Sequence, residues 1–519
     1  MGCIQKYSSF KVIIFLIQDL NIIFKGNLHM VQPLFTESAK NTYSNDDNLR
    51  EEKFRVFYGT FVDTPVLGEF RIRYQTSVGV ESRSGTILFI NENSSDPMGD
   101  VSRFDPTIEE SNVEVIELKS HFTSFFFPGF IDTHIHASQY PNTGIFGKST
   151  LLDWLIKYTF PLEQSLENDD ISKDVYTKIV KRTLSHGTTT ACYYTTIHAS
   201  SAKIMAQICS KLGQRAMIGK VCMDLNSPDF YTEKNVNDSL KSTLDVVDYI
   251  FNEIKKPIIL PVLTPRFAPS CSRELMLGLS KIASSYPDGL HIQTHLSENI
   301  KEINWAKELF PECKSYTEIY NKYGMLSNKT ILAHCIHLDD DEIKLIKENK
   351  SGISHCPISN SSLTSGECKV RELLNENIKI GLGTDVSAGY STSILDNARQ
   401  AHLVSRHLAM KYDNREKRDS VKLSVEDVLY LATLGGAKVL ELDDKIGTFD
   451  IGKHFDTQLI DLNVKGSPVD VFDWQIPDIN NGNENDIFTL KELLYKWFFN
   501  SDDRNVAKVW VDGLEVISK

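Results

Sequence analysis

Between Pro128 and Ile446 strand-like apolar runs alternate with helical stretches, and this alternation constrains the fold more than any other feature of the chain. The runs are Phe130 to His136, Thr188 to Tyr194, Ala216 to Met223, Ile258 to Thr264, His291 to His295, Thr330 to His334, Gly352 to His355 and Ile378 to Gly383. Eight such runs are what a closed (β/α)8 barrel requires. Outside this block the texture changes. Phe54 to Val62, Phe70 to Arg73, Thr86 to Ile90 and Val113 to Leu118 are rich in β-branched and aromatic residues, with Gly and Asp/Ser clusters between them, and read as an antiparallel sheet module. The same texture returns in Phe455 to Asp461 and Val506 to Val511. The expected fold is therefore α/β: a (β/α)8 TIM barrel over residues 128–446, with a small composite β-sandwich domain formed from residues 54–127 and 447–519. Residues 466–487 read as a loop insertion, and residues 1–53 as a poorly ordered N-terminal extension.

A barrel carries its chemistry at the C-terminal ends of its strands. Almost every polar group capable of catalysis falls at such an end here. In Pro128-Gly-Phe-Ile-Asp-Thr-His-Ile-His136 the two histidines are two residues apart, so on a strand His134 and His136 point to one face and can share a metal ion. Asp132 lies on the same face and is expected to orient a metal-bound imidazole. Leu290-His-Ile-Gln-Thr-His-Leu-Ser-Glu298 ends a strand in another histidine and follows it with a glutamate. Metal-assisted hydrolysis needs that combination: the ion lowers the pKa of its water toward ~7, and a carboxylate that is not a ligand carries the proton to the leaving group. His295 is read as the third ligand and Glu298 as the shuttle. Ile331-Leu-Ala-His-Cys335 and Ile380-Gly-Leu-Gly-Thr-Asp385 each place one polar group directly after an apolar run. Asp385 is read as the carboxylate ligand, also active in catalysis, and His334 as a hydrogen-bonding electrophile. Singly, each has a plainer reading: a helix cap for Asp385, core histidines for His295 and His334, a solvated Glu298. Their recurrence at successive strand ends favours the metal site. Three imidazoles and a carboxylate suit zinc or iron.

Charge narrows the partners. With 56 basic against 69 acidic residues, a net −13, the chain has no basic footprint for nucleic acid or anionic membrane, and a small-molecule substrate is expected. Nine cysteines with no C-x-x-C pair signal neither a disulfide framework nor a thiolate zinc site, and fit a reducing, cytoplasmic compartment. The apolar segment Val12 to Phe24 is interrupted by Gln18, Asp19 and Asn21, well short of the ~20 residues that span a bilayer.

Together, Gly129-Phe-Ile-Asp-Thr-His-Ile-His136, Gln293-Thr-His-Leu-Ser-Glu298, Ala333-His-Cys335 and Gly383-Thr-Asp385 resemble the amidohydrolase superfamily in its mononuclear zinc deaminase and chlorohydrolase branch. From about Phe54 onward the chain also resembles the guanine deaminase family, most closely its fungal form. The segments that carry this are His136-Ala-Ser-Gln-Tyr-Pro-Asn142, Thr150-Leu-Leu-Asp-Trp-Leu155, Leu184-Ser-His-Gly-Thr-Thr-Thr190, Thr264-Pro-Arg-Phe-Ala-Pro269 and Ser354-His-Cys-Pro-Ile-Ser-Asn-Ser-Ser362. The resemblance implies one zinc ion per subunit on His134, His136, His295 and Asp385, a homodimer, and hydrolysis of guanine to xanthine and ammonia in purine catabolism. It also implies that Gln139, Arg266 and Phe267 hold the purine, with His136, His295, Glu298 and Asp385 in contact with it. Physically, guanine presents O6 and N7 as adjacent acceptors, which an arginine fork matches. The plainer readings are a surface ion pair for Arg266, a loop hydrogen bond for Gln139 and core packing for Phe267. The main alternative substrate is a triazine, a pterin or a modified purine; a metal-free barrel kept as a binding protein is the more distant reading.

Overall fold

The computed structural model describes residues 54–476 and 489–519, so the N-terminal extension and residues 477–487 of the expected insertion lie outside the described residues. Two sheets organise the rest. The first is entered through β1 (Phe54–Val66), β2 (Glu69–Val80), β3 (Ile87–Asn91), β4 (Val113–Glu117) and β5 (Ser124–Pro128). The barrel follows, as β6 (Phe130–His136), β7 (Thr188–Tyr194), β8 (Arg215–Gly219), β9 (Val221–Cys222), β10 (Ile259–Pro265), β11 (His291–Leu296), β12 (Thr330–His334), β13 (Gly352–His355) and β14 (Lys379–Leu382). The chain then returns to the first sheet with β15 (Thr457–Asp461), β16 (Val506–Val511) and β17 (Leu514–Ser518).

Barrel neighbours run β6-β7-β8-β10-β11-β12-β13-β14, every pair parallel. The ring is tied at its seam by two backbone bonds, Asp385 N–H to the His134 carbonyl at 2.9 Å and His136 N–H to the Val386 carbonyl at 3.2 Å. β6 and β7 are buried along their whole length, as strands covered by helices on one side and by the barrel interior on the other must be. Outside them the helix Asp169–Ser185 lays Tyr176, Ile179, Val180 and Leu184 into one apolar cluster with Ile135, Tyr193 and Ile218.

Three features depart from the sequence-based expectation. The outer sheet is mixed, because β1 pairs antiparallel with β2 but parallel with β4 and β5. At 13 residues and with register shifts after Gly59 and Asp63, β1 is long and bent enough to serve different neighbours along its length. The apolar run Ala216 to Met223 divides at Lys220, whose buried ammonium donates to the Val221 carbonyl and pairs with Glu233. Finally, a helix at Leu490–Asn500 sits where only strands and a loop were expected. Its signals are a Thr489/Glu492 capping box and Leu490, Leu493, Leu494 and Trp497 at helical spacing, which seat Trp497 against Phe125 and Phe127.

The termini of the outer sheet are clamped to the barrel by Arg215 on β8. Its buried guanidinium donates to both oxygens of Asp456 at 2.8 and 3.1 Å, and to Asp512 at 2.5 Å. Replacing Arg215 by Ala leaves a buried carboxylate uncompensated and is expected to destabilise the fold by about 3 to 5 kcal/mol, read from denaturant melts. Burial pushes the Asp512 carboxyl up, but Arg215 and His454 outweigh it and hold its pKa down to about 2. An unfolded aspartate titrates near ~3.9, so this contribution is complete above that pH and fades as pH falls toward 2, which melts between pH 5 and 2 would show.

Candidate active site

The strand ends bring His134, His136, His295 and Asp385 to one point. His134 Nε2 lies 3.1 Å from Asp385 Oδ1, and His136 Nε2 lies 3.4 Å from the same oxygen and 3.1 Å from His295 Nε2. All four potential ligand atoms fall within 4.8 Å of one another; His134, His136 and Asp385 are buried and His295 is half-buried. The donor set fits a cation. His295 Nδ1 is 2.6 Å from the Arg266 carbonyl oxygen, which can only accept; the proton is therefore on Nδ1, and the Nε2 lone pair faces the cluster. Burial, reinforced by the neighbouring imidazoles, pushes His136 and His295 well below the usual histidine pKa, so both stay neutral and able to ligate. Burial alone would raise the Asp385 pKa, but the His134 bond and the surrounding imidazoles hold it far below the carboxylate range. Gly383 permits the close approach of this segment to β6: a Cβ there would stand 2.9 Å from the His134 Cβ.

Asp132 serves the site differently from the expectation. Its Oδ1 accepts from the backbone N–H of His134 at 3.2 Å and of Thr384 at 3.0 Å, and its Oδ2 from the Thr384 hydroxyl at 2.5 Å. Its bonds thus go to backbone and to Thr384, not to an imidazole ring. Side chains on one strand face lie alongside each other, so Asp132 reaches across the seam more readily than to the ring two residues on. It ties the segment that carries Asp385 to the strand that carries His134 and His136.

Glu298 and His334 face this cluster from β11 and β12. A left-handed turn at Ser297, φ 50°, swings Glu298 inward, and the turn is held by Glu302, whose Oε2 accepts the backbone N–H groups of Glu298 and Asn299. Glu298 Oε1 accepts from the Ser365 hydroxyl at 3.0 Å, while Oε2 is 3.5 Å from His334 Nε2. Burial raises the Glu298 pKa to about 7 against the pull of His334. His334 donates through Nδ1 to Asn360 Oδ1 at 2.8 Å, which aims Nε2 at Glu298 and Asp385. Burial disfavours charge on His334, but the two carboxylates prevail and raise its pKa. Neither Asn360 nor Ser365 is picked out by the sequence reading, although Asn360 lies within one of its segments.

Gln139 and Arg266 meet on a residue that sequence reasoning missed. Glu163, from the short helix Phe160–Ser165, accepts Gln139 Nε2 at 2.9 Å and Arg266 Nη1 at 2.7 Å. The ion pair is buried, not the surface pair of the plain reading. Nothing in Phe160-Pro-Leu-Glu163 separates it from a solvated glutamate. Phe267 is also buried, but its ring lies edge-on to Trp305, at 5.9 Å. The Phe160 ring lies 5.1 Å from the Arg266 guanidinium carbon, and Tyr194 lies 4.4 Å from His136, ring to ring.

The Amidohydrolase family model matches residues 125–516. A probable guanine deaminase of Schizosaccharomyces pombe is 45% identical over 460 residues, 88% of this chain and 82% of its own length. The guanine deaminase of Dictyostelium discoideum is 42% identical over 467 residues, 89% of this chain and 98% of its own. A crystal structure of guanine deaminase from C. acetobutylicum with bound guanine superposes with a TM-score of 0.77 at 33% identity, covering 90% of this chain and 100% of that one.

Two substitutions test the cation site. Asp385→Ala is expected to abolish tight binding of one divalent ion per chain. Asp132→Asn should weaken it by about 10- to 100-fold, measured by elemental analysis after chelator competition. Unchanged affinity in the Asn variant would make the seam tie irrelevant to the ion.

Proposed function

The chain belongs to the amidohydrolase family and, within it, to the guanine deaminases, and from that premise we propose that it hydrolyses guanine at C2, leaving xanthine and releasing ammonia. The observation that carries the reading is the junction of two buried groups: the His134, His136, His295 and Asp385 cluster, and the Arg266, Gln139 and Glu163 frame joined to it through the Arg266 carbonyl. A divalent ion held by His134, His136, His295 and Asp385, zinc by family expectation, would supply the positive charge that makes water a nucleophile at neutral pH.

The protein's own groups do the rest. Glu298 takes the proton of the attacking water and passes it to the exocyclic amine, a two-way transfer suited to a carboxyl whose pKa lies near the working pH. His334, anchored by Asn360, directs Nε2 at the same space and stabilises the charge that develops on the purine. Arg266 keeps three guanidinium N–H groups beyond those given to Glu163, enough to meet the adjacent O6 and N7 acceptors. Gln139 meets another ring edge, and Phe267 packs against the bound purine. His136, His295, Glu298 and Asp385 all bear on the reacting carbon. These side chains are buried, or half-buried for His295, so the reaction proceeds away from bulk water, where their charges act strongly. A homodimer, a cytoplasmic location and a place in purine catabolism complete the proposal. The eight cysteines among the described residues, all buried and unpaired, agree with a reducing compartment.

The test is a purified, zinc-loaded protein assayed by ultraviolet absorbance with guanine, adenine and ammeline. Guanine is expected to be consumed with release of xanthine, and Glu298→Gln should keep its metal while losing at least about 100-fold in kcat. An active Gln variant would remove Glu298 from the mechanism. A fully metallated wild type that forms no xanthine would refute the substrate.

A further inference from the structure

Glu163 touches two of the side chains that the proposed function assigns to the purine, Gln139 and Arg266. Its Oε1 accepts from Gln139 Nε2 at 2.9 Å and from Arg266 Nη2 at 3.3 Å, and its Oε2 accepts from Arg266 Nη1 at 2.7 Å. Its side chain is fully buried and that of Arg266 is 3% exposed, so the pair has no solvent to fall back on. The contact fixes two orientations. A carboxylate only accepts and a backbone N–H only donates, so Gln139, held between Glu163 and the N–H of Ser387 at 3.3 Å, cannot exchange its amide oxygen and nitrogen. It presents one free N–H and one oxygen lone pair, in that order. For Arg266, the carboxylate takes one side of the fork and the Phe160 ring covers one face of the guanidinium, which leaves a defined edge of N–H groups. Both residues are also wired to the ligand cluster, Gln139 by its side chain and Arg266 by its backbone: Ser387 lies two residues beyond Asp385, and the Arg266 carbonyl accepts from His295 Nδ1.

We propose that Glu163 is a positioning residue for substrate selection, holding Arg266 and Gln139 so that the site accepts a neutral purine with hydrogen-bond acceptors on its six-position edge and rejects purines without them. The inference rests on guanine being the substrate. Its physical basis is that a buried donor left without a partner is costly, so a purine lacking the 6-oxygen is penalised only while Arg266 is held in place to miss it. Freed from Glu163, the guanidinium can turn to other acceptors, and the Gln139 amide can flip. Recognition should then weaken for guanine more than for a purine that never made those bonds.

The probe is 2-aminopurine, which keeps the 2-amino group and lacks the 6-oxygen. Zinc-loaded wild type, Glu163→Gln and Glu163→Asp are compared in zinc content, in kcat and KM for guanine, and in the ratio of kcat/KM for guanine to that for 2-aminopurine, with inhibition constants used where turnover is too slow. For Glu163→Gln the expected result is full zinc, a guanine KM raised at least about tenfold with kcat within about threefold, and a selectivity ratio lowered at least about tenfold. Glu163→Asp keeps the charge on a shorter stem and should fall between wild type and Gln in both KM and ratio. If the Gln variant does not fold, the Asp variant decides alone, and a ratio at least about threefold below wild type supports the proposal. A variant that slows both purines equally, its ratio unchanged, would overturn it and leave Glu163 a scaffold residue. Wild type inert toward guanine would instead overturn the substrate reading on which the inference stands.

Discussion

The barrel seam is the constraint on which the site depends. Two of its four clustered side chains lie on the first barrel strand and one lies just beyond the last, 251 residues away. They meet only because backbone bonds join Asp385 to His134 and Val386 to His136, and because Asp132 accepts from both sides of that junction. A carboxylate in such a place works by geometry: it settles how far Asp385 stands from the two imidazoles, and so the size of the pocket they enclose. A glycine at 383 serves the same end by removing the one side-chain atom that would hold the strands apart.

Burial then sets the chemistry. Within the cluster the imidazoles are kept neutral and Asp385 is kept ionised, which is the protonation pattern of a cation site. One step further out, burial raises Glu298 to about 7, the value of a group that can both take and return a proton, while His334 beside it is drawn toward the charged form. Similar side chains thus do different work according to what surrounds them. The Glu163 and Arg266 pair follows the same logic at the substrate end, where a buried charge is stable only because its partner is buried with it.

The parts of this arrangement that follow local periodicity were legible in the sequence. The bounds of β6, β7, β12 and β13 could be read from apolar runs alone, and the meeting of His134 and His136 follows from their spacing by two. His295 and Asp385 could be placed because each closes an apolar run. What depends on distant partners was hidden. Glu163 lies 103 residues from Arg266, on a six-residue helix that carries no mark of its burial. Asp132 was visible as a carboxylate near the site, but its choice of backbone over imidazole is decided by Thr384 across the seam. The parallel pairing of β1 with β4 and β5 was hidden for the same reason, since strand direction depends on the route of the intervening chain. The helix at Leu490–Asn500 is a different case: its capping box and spacing were present, and the β-rich flanks obscured them.

Seam closure gathers three imidazoles and one carboxylate into a cluster that can hold a single cation. X-ray absorption spectroscopy at the zinc edge of the metal-loaded protein tests it most directly. The expected first shell is nitrogen and oxygen only, at about 2.0 to 2.2 Å, with the outer-ring scattering of three imidazoles. Sulfur at ~2.3 Å, which would bring Cys356 or another buried thiol into the shell, or a second metal at ~3.5 to 4 Å, would contradict it.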